Sequence, residues 1–369
     1  MDNHKILIIA ASLRIGGAEK VARDIALHDS RQEFEYHYIV FGDQVGEYES
    51  ELQAHGCRIF HLQPPSRSYR VFWRELRHLM KEHRYHAVHA HNMFNCGLSM
   101  AAARCSGVPV RISHAHSALD YERSWAKRLY EGFMRMLILS CSTDLVACGV
   151  KAGIRLFGQS AYERRGKLIL NGINVEACRF DPQRRDALRR ELGFDNDFLI
   201  GHTGHLMDVK NQQYLIRLMP KILEQQPRAR LLLLGEGPDR QMLEELVRSL
   251  GLEDRVLMPG NVRNIPDWLS AMDVFAFPSL YEGTPLSVIE AQANGLPCIL
   301  STGVPADVHL TDLIHPLALS DPETAWTDAI CSARRGQPEQ YARLLLDSDF
   351  HTARAMEQLF QIYRKGISL

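Results

Sequence analysis

The chain has 369 residues, 46% of them hydrophobic and 24% charged, with a net charge of −1. This length exceeds one ordinary core and predicts two domains at roughly 150 residues each, while the composition excludes a disordered chain. No uncharged apolar run approaches the ~18 residues that span a bilayer, and the short run Ile6 to Ser12 ends before Arg14, which predicts a buried strand and excludes a signal peptide or a membrane span.

The first half of the chain alternates short β-rich runs with amphipathic stretches. Alternation of this kind indicates parallel strands joined by helical crossovers. The predicted strands are Lys5–Ala10, Glu35–Phe41, Arg58–Leu62, Ala87–His91, Val110–Ser113, Asp144–Ala147 and Lys167–Leu170. The predicted helices include Gly17–His28, Arg70–Lys81 and Trp125–Leu139.

The second half repeats the alternation. Its strands are apolar throughout, as in Arg230–Gly235, which is typical of a parallel sheet covered on both faces. The predicted strands are Leu199–Gly204, Ala229–Gly235, Val256–Pro259, Val274–Pro278, Pro297–Ser301 and Ile314–Leu317. The predicted helices include Gln212–Glu224, Asp239–Leu250, Ile265–Ala271 and Pro285–Asn294, and an amphipathic helix over Asp349–Lys365 follows the last strand.

The pattern lapses between Asn171 and Gly193, where turn residues and a charged run separate the two series. The fold class is therefore predicted to be α/β, with two Rossmann-like, doubly wound domains facing a central cleft. We expect an N-terminal domain over 1–175 and a C-terminal domain over 176–348. The helix in 349–369 is expected to return to the N-terminal domain.

Charge is distributed unevenly between these halves. Residues 1–175 contain 23 Lys and Arg against 17 Asp and Glu, a net of +6, and 12 of the 17 histidines. A basic half suits an anionic surface or a phosphorylated acceptor, although uneven solvated charge explains it equally well. The eight cysteines include no Cys-x-x-Cys and are expected to be reduced residues of a cytosolic protein.

One glycine turn follows the first strand of each domain. Gly16 and Gly17 precede a helix, so the backbone there could approach a ligand, or the segment could be a plain βα turn. Lys210 stands after the Gly204 turn, where it could neutralise a phosphate or lie free on the surface.

A Gly/Pro loop follows the strand that ends near Phe277, and it has the most informative pattern. Glu282 lies in this loop and Glu290 lies eight residues further on, in a helix predicted to begin near Pro285 with Thr284 as its N-cap. Two carboxylates at this spacing can bind hydroxyls on both parts of a nucleotide sugar. A structural role for Glu290 is the alternative.

Histidines occur as two His-Ala-His units, His89 to His91 and His114 to His116. Alternate residues share one face of a strand, so each pair could grip a metal ion. Because no Cys, Asp or Glu ligand lies nearby in sequence, we expect no metal site. Histidines that contact substrate, or core histidines with satisfied hydrogen bonds, fit better.

Together these motifs resemble the GT-B glycosyltransferases of family 4, a retaining and metal-independent group, and the resemblance covers nearly the whole chain. Within that family, the chain looks most like bacterial capsule and exopolysaccharide enzymes. The matching motifs are the His-Ala-His strands, Gly16-Gly-Ala-Glu19, Asn171-Gly-Ile-Asn174, Gly204-His-Leu-x-x-x-Lys-Asn211, Leu234-Gly-Glu-Gly-Pro238, Pro259-Gly-Asn-Val-x-Asn-Ile-Pro266 and Glu282-x7-Glu290.

The resemblance implies a role for each matching residue. Lys210 would hold the donor diphosphate, Glu282 the donor sugar and Glu290 the ribose, while a first-domain histidine would reach the transferred sugar. Of the two histidines in the second pair, we favour His116 over His114. Catalysis is thus assigned to His116, Lys210 and Glu282. The remaining implied donor-site residues are Gly16, Gly17, His205, Asn261, Val262, Gly283, Thr284, Pro285 and Leu286.

His205 departs from the family pattern, which usually has arginine after this glycine. Arginine offers a permanent, bidentate fork to phosphate, whereas histidine is only partly charged near neutral pH. Diphosphate binding is therefore expected to be weaker and pH-dependent, unless Lys210 and the helix dipole suffice.

The resemblance implies transfer of a hexosyl or N-acetylhexosaminyl group from a UDP-sugar to a lipid-linked or saccharide acceptor, with retention and no metal or other cofactor. The alternatives are a GT-B relative with another activity, such as a nucleotide-sugar epimerase, or an inactive binding scaffold. A nucleic-acid or membrane-binding module is a third class, and the Glu282, Glu290 and Lys210 set argues against it. We expect no nucleic-acid partner.

The helix predicted from Trp125 carries apolar residues at helical spacing between cationic residues. Such a helix can lie in a membrane interface, or it can pack in the core. We expect a cytoplasmic enzyme that docks peripherally on the anionic inner face of the membrane. The apolar residues are Trp125, Leu129, Phe133 and Met136, and the cations are Arg123, Lys127, Arg128 and Arg135.

Overall fold

The computed structural model describes residues 4–14, 16–117 and 124–367. It divides the chain into two compact units, one of Met1–Gly172 with Thr352–Leu369 and one of Ile173–His351. These divisions lie close to the sequence boundaries drawn at 175 and 348. The first unit is discontinuous because the C-terminal segment belongs to it.

The first unit is an α/β layer structure. Its strands are β1 His4–Ile9, β2 Phe34–Phe41, β3 Arg58–Leu62, β4 Ala87–Ala90, β5 Val110–Ala115, β6 Asp144–Ala147 and β7 Gly166–Leu168. Its helices are α1 Gly17–Leu27, α2 Glu49–Ala54, α3 Tyr69–His83, α4 Cys96–Cys105, α5 Trp125–Cys141, α6 Val150–Phe157, α7 Gln159–Arg165 and, from the C-terminal segment, α16 Thr352–Tyr363.

The strands of the first unit form a parallel sheet in the order β3-β2-β1-β4-β5-β6-β7. Because both faces are covered by helices, β1 buries Leu7 and Ile9 on one face and Ile6 and Ile8 on the other. Helix α16 completes the second of these cores, since Tyr363 is fully buried there. The C-terminal segment is therefore part of the core of the first unit.

The second unit has the same layer plan. Its strands are β8 Phe198–Thr203, β9 Ala229–Leu234, β10 Val256–Gly260, β11 Val274–Phe277, β12 Cys298–Ser301 and β13 Ile314–Leu317. Its helices are α8 Val175–Cys178, α9 Pro182–Leu192, α10 Gln212–Gln225, α11 Arg240–Ser249, α12 Ile265–Ala271, α13 Leu286–Ala293, α14 Glu323–Ser332 and α15 Pro338–Leu346.

The second sheet is parallel in the order β10-β9-β8-β11-β12-β13. Strand order reverses between β8 and β11, just as it reverses between β1 and β4 in the first sheet. Ligands of open α/β sheets bind at the carboxyl ends of strands beside such a reversal. The prediction of two Rossmann-like, doubly wound sheets is confirmed.

The charged run near the boundary is helical, which the sequence analysis missed. Asp181 accepts hydrogen bonds from the amides of Gln183 and Arg184, Pro182 occupies the first turn, and Gly193 ends the helix at φ +70°. These are standard start and stop signals. They were overlooked because α9 has almost no apolar periodicity. None of the described helices is long and apolar enough to cross a membrane.

Candidate functional site

The reversal point of the second sheet brings together two of the predicted catalytic residues. Lys210 follows β8 and Glu282 follows β11, and the Lys210 ammonium donates to Glu282 Oε1 at 2.7 Å. Both side chains are largely shielded, with exposed fractions of 18% and 10%. The lysine Nζ also lies 5.1 Å from the centre of the Phe277 ring, a cation–π contact that steadies it further.

Backbone hydrogen bonds hold the loop that carries Lys210. The amide of Leu280 donates to the carbonyl of Val209 at 2.8 Å, which ties this loop to the one after β11. Asn211 adopts the left-handed conformation, at φ +54°, and its side-chain amide donates to the carbonyl of Pro278 at 3.2 Å. Asparagine tolerates this conformation better than most residues. The ends of β8 and β11 are thus joined around the ion pair.

A buried histidine of β8 packs against the same loop. His202 stacks on Phe277 with ring centres 5.0 Å apart, and burial lowers its pKa to about 3. Its Nε2 lies 3.3 Å from the Gln212 side-chain nitrogen, which also donates to the carbonyl of His205 at 2.9 Å. The neutral ring can therefore accept from Gln212 while its Nδ1 bonds the carbonyl of Ala276. The sequence analysis assigned no role to His202 or Gln212. A single polar residue in the sequence does not reveal whether its side chain is buried.

The other predicted residues of the second unit lie in loops after strand ends or in the next helix. His205 is exposed in the loop between β8 and Lys210. Asn261 and Val262 follow directly after β10, and Gly283 and Thr284 lead into α13.

Helix α13 begins one residue later than expected. Pro285 occupies the cap position and Leu286 is the first helical residue, so Thr284 is not the N-cap. Proline at the cap fits because it has no N–H to leave unpaired. Glu290 lies half-buried within this helix.

The first unit places Gly16 and Gly17 where α1 begins, after β1 at the other reversal point. Gly16 is extended, and a Cβ there would lie 2.4 Å from the Glu19 carboxylate. This carboxylate is the end of a flexible side chain, so it could move aside for a larger residue at position 16. His116 follows β5 and is half-buried, whereas His114 is 1% exposed.

The two His-Ala-His units form one cluster because β4 and β5 are neighbours in the sheet. His89 Nε2 lies 3.1 Å from His114 Nδ1, and His91 Nδ1 lies 2.7 Å from His116 Nε2. Ring centres are 4.2 Å apart for His89 and His91 and 4.1 Å apart for His114 and His116. Tyr363 of α16 joins the cluster, its hydroxyl 2.6 Å from His89 Nδ1.

Burial controls the charge of this four-histidine cluster. It lowers the pKa of His89 and His116 to about 3 and lowers the pKa of His91 and His114 well below the ordinary value. Neighbouring imidazoles oppose protonation in addition for His89, His91 and His114. All four rings are therefore neutral at pH 7, and each keeps a nitrogen lone pair.

Family comparisons agree with this geometry. The family description "Glycosyltransferase Family 4" matches residues 15–177, and "Glycosyl transferases group 1" matches residues 184–312. EpsF of Bacillus subtilis (strain 168) is 34% identical over 343 residues, covering 91% of this chain and 89% of EpsF. The chain belongs to glycosyltransferase family 4.

Two further relatives of this family 4 chain have more specific names. The UDP-Gal:alpha-D-GlcNAc-diphosphoundecaprenol alpha-1,3-galactosyltransferase of Escherichia coli is 31% identical over 230 residues, 60% of this chain and 59% of the relative. The capsular polysaccharide biosynthesis glycosyltransferase CapH of Staphylococcus aureus is 24% identical over 302 residues, 80% of each chain. The predicted kinship with capsule and exopolysaccharide glycosyltransferases is confirmed.

The fold also matches a solved structure. Anabaena HepE, crystallised with UDP and glucose, superimposes with a TM-score of 0.76 at 21% identity, covering 98% of this chain and 100% of HepE. This likeness establishes the GT-B type of fold. The protein is a glycosyltransferase of GT-B type related to the enzymes of exopolysaccharide and capsule synthesis.

Proposed function

We propose that the protein transfers a hexosyl or N-acetylhexosaminyl group from a UDP-sugar to a hydroxyl of a lipid-linked or saccharide acceptor, with retention of anomeric configuration. The observation that carries this proposal is the shielded Lys210–Glu282 pair at the reversal point of the second sheet. It combines a cation for a diphosphate with a carboxylate for sugar hydroxyls. The UDP in HepE and the UDP-Gal and lipid diphosphate in the E. coli relative's name support the choice of donor and acceptor.

Lys210 is the group proposed to stabilise the leaving diphosphate. Charge develops on that diphosphate as the bond to the anomeric carbon breaks, and a fixed cation in a shielded site stabilises it at little reorganisation cost. Amides of the first turn of α13, near Leu286, add the positive end of a helix dipole. In this proposal the transfer requires no metal ion at the diphosphate.

Glu282 and Glu290 would hold the donor from its two ends. Glu282 would accept hydrogen bonds from hydroxyls of the transferred sugar, and Glu290 would accept them from the ribose. His205, Asn261 and Val262 would line the nucleotide side, with Gly283, Thr284 and Pro285 approaching the phosphates through their backbone. Such positioning lowers the barrier by fixing the reacting atoms in one arrangement.

Retention follows if the acceptor attacks from the face that the diphosphate leaves. The acceptor oxygen bonds to the anomeric carbon, the bond from that carbon to the diphosphate breaks, and the hydroxyl proton passes to the departing phosphate oxygen. Gly16, Gly17 and His116 of the first unit are the proposed contacts to donor and transferred sugar. His116 would position the sugar by hydrogen bonding, because a neutral imidazole can donate or accept.

We further propose that α5 docks the protein on an anionic membrane surface. Its apolar stripe is exposed, with 75% exposure at Trp125, 66% at Leu129 and 53% at Phe133, so the stripe is not a core face. Lys127 and Arg128 are exposed on the same helix, and each cation near anionic lipid contributes about 1 kcal/mol. Arg135 instead donates to backbone carbonyls of α6, and Arg123 lies outside the described residues.

A donor panel tests the transfer proposal. Radiolabelled UDP-, GDP- and ADP-sugars are incubated with the enzyme and polyprenyl diphosphate-linked or free saccharides, and products are separated from hydrolysed donor. We expect a glycosidic product from a UDP-sugar, with its anomeric configuration retained by NMR. Conversion of the nucleotide sugar to an epimer would support the epimerase alternative, and binding without any turnover would support an inactive scaffold.

A further inference from the structure

The four-histidine cluster of the first unit has nitrogen atoms that the fold does not use. His91 Nε2, His114 Nε2 and His116 Nδ1 are buried and have no hydrogen-bond partner among the described residues. A buried polar atom left unpaired costs roughly 1–3 kcal/mol. Three such atoms in one cluster call for an additional binding partner, such as water or an ion.

The chemistry of the cluster favours a metal ion over water alone. Suitable nitrogens of His89, His91 and His114 all lie within 4.8 Å of one another. The nitrogens around a tetrahedral zinc ion are separated by about 3.3 Å, given Zn–N bonds of about 2.0 Å. Coordination would therefore require the most widely separated nitrogens to move closer by at most about 1.5 Å. Neutral imidazoles are preferred ligands of zinc, copper and nickel, whereas magnesium and calcium prefer oxygen.

The opposite nitrogens of two candidate ligands already have suitable supporting bonds. His89 Nδ1 pairs with the hydroxyl of Tyr363, and His91 Nδ1 pairs with His116 Nε2. Metal-binding histidines nearly always anchor their second nitrogen in this way, which fixes the ring and the tautomer. Both contacts leave Nε2 of His89 and His91 available to an ion if the His89–His114 hydrogen bond is exchanged for coordination.

We propose that His89, His91 and His114 bind one Zn²⁺ ion, with Tyr363 and His116 as positioning residues that orient the ligand rings. The ion would link β4 to β5 through its ligands and to α16 through the Tyr363–His89 hydrogen bond. A fourth coordination position would remain for water or an anion. All of these residues belong to the first unit, whereas Lys210 and Glu282 belong to the second, and the proposal does not rest on the proposed transferase activity. The sequence analysis expected no metal site, because no Cys, Asp or Glu ligand lies near either His-Ala-His pair in sequence.

Metal stoichiometry tests the proposal directly. The full chain, equilibrated with a slight excess of ZnCl₂ and desalted, should retain about one zinc per chain by mass spectrometry. Cobalt substitution should give the intense visible bands of a tetrahedral nitrogen site. Retention of less than about a tenth of an equivalent of either metal at micromolar free concentration would overturn the proposal.

Variants assign the ion to the cluster. His91→Ala and His114→Asn should each reduce zinc to below about a fifth of an equivalent, whereas His78→Ala, an exposed histidine of the same unit, should retain it. Tyr363→Phe should weaken zinc binding by about 10- to 100-fold without abolishing it. Full stoichiometry in correctly folded His91→Ala and His114→Asn proteins, checked by circular dichroism, would place the metal elsewhere and refute the assignment.

Discussion

Lys210 and Glu282 neutralise each other where the proposed donor binds. A diphosphate would have to share or take Lys210 from the carboxylate, since the two atoms are only 2.7 Å apart. Glu282 would then be released toward sugar hydroxyls. In the proposed reaction the pair would therefore couple phosphate binding to sugar binding through one hydrogen bond.

We expect Lys210→Ala and Glu290→Gln each to reduce kcat/KM for transfer by about 100-fold or more. For Lys210→Ala, loss of one charged contact to the developing oxyanion costs about 3 kcal/mol, and each 1.4 kcal/mol is a factor of about ten. For Glu290→Gln, the lost hydrogen bonds between a charged carboxylate and the ribose are worth about 1.5–3 kcal/mol each. Steady-state kinetics with the preferred UDP-sugar measures the effect. Lys221→Ala, which removes an exposed lysine paired with Glu323 on the same unit, is the matched control.

Thermal unfolding of both variants should remain cooperative. Turnover close to wild type in both would show that the donor site lies elsewhere on the molecule. A collapse of the unfolding transition would instead indicate a structural role, which Glu290 could have because it lies half-buried in α13.

Restoring the usual family residue at His205 should strengthen donor binding. Arginine stays charged at all accessible pH values and can form two parallel hydrogen bonds to phosphate. His205 is exposed, so the longer side chain can be accommodated without repacking. We expect His205→Arg to lower the Kd for UDP by several-fold in calorimetry, and His205→Gln to leave it equal or weaker. If His205→Arg binds UDP no more tightly than wild type, position 205 does not contact the phosphates.

At the scale of one element, α5 should carry the membrane affinity. Replacing Trp125 and Phe133 by serine should reduce co-sedimentation with anionic liposomes at least several-fold, because it removes the largest exposed apolar area of the stripe. Binding should also fall at high salt, as Lys127 and Arg128 are screened. Leu344→Ser, which replaces a leucine of the second unit that is 52% exposed, serves as control. Wild-type binding that is absent, or indifferent to lipid charge and salt, would refute docking through α5.

Helix α16 is anchored to the first unit by an ion pair as well as by its core residues. Arg364 donates two hydrogen bonds to Glu33, at 2.7 and 2.8 Å. The Arg364 hydrogen bond holds the pKa of Glu33 below its usual value. The stability that Glu33 contributes is therefore present above its unfolded-state pKa and lost as the pH falls through the lower, folded-state pKa.

Arg364→Met should lower the free energy of unfolding by about 1 kcal/mol at pH 7, since a bidentate arginine–carboxylate pair is stronger than a typical surface pair. The gap from wild type should shrink as the pH falls below the unfolded-state pKa of Glu33, about 4.3, and through its lower folded-state pKa. Urea titrations at several pH values measure this difference. A difference in unfolding free energy that is constant down to pH 3 would mean that α16 is held by packing alone. Arg343→Met, on α15, controls for loss of an exposed charge.

Most elements were predictable because strands read as short β-rich runs and helices as amphipathic stretches. The strands Arg58–Leu62 and Asp144–Ala147 and the helix Ile265–Ala271 were located with their observed bounds. Helix α4, with its many alanines and little amphipathic contrast, was not predicted, and neither was the charged α9. Helices of these kinds have almost no periodic apolar face, and sequence reasoning relies on that face.

Contacts between residues distant in sequence were beyond prediction. Lys210 and Glu282 were placed in one site by resemblance, but their direct ion pair depends on β8 lying beside β11. Likewise, the two His-Ala-His units merge into one cluster because β4 pairs with β5 in a particular register. Spacing along the chain does not contain this information, so the metal-like cluster was missed.

At the scale of the whole molecule, donor choice should be visible as stability. A ligand at 100 times its Kd adds about 2.7 kcal/mol to the free energy of unfolding. We expect UDP to raise the unfolding temperature more than GDP or ADP at equal concentration. Differential scanning fluorimetry measures this shift, and the Lys210→Ala protein, which should respond much less, is the control. Equal or greater stabilisation by GDP would overturn the choice of UDP.

The discontinuous first unit has a consequence for biosynthesis. Residues 173–351 form a complete unit and can fold as soon as they leave the ribosome. One of the two cores of the first unit is completed later, because it includes Leu359 and Tyr363 of α16, which are made after the whole second unit. Until then its apolar sheet face is open to chaperones. Nascent chains stalled before residue 352 should therefore contain a protease-resistant second unit beside a sensitive first one.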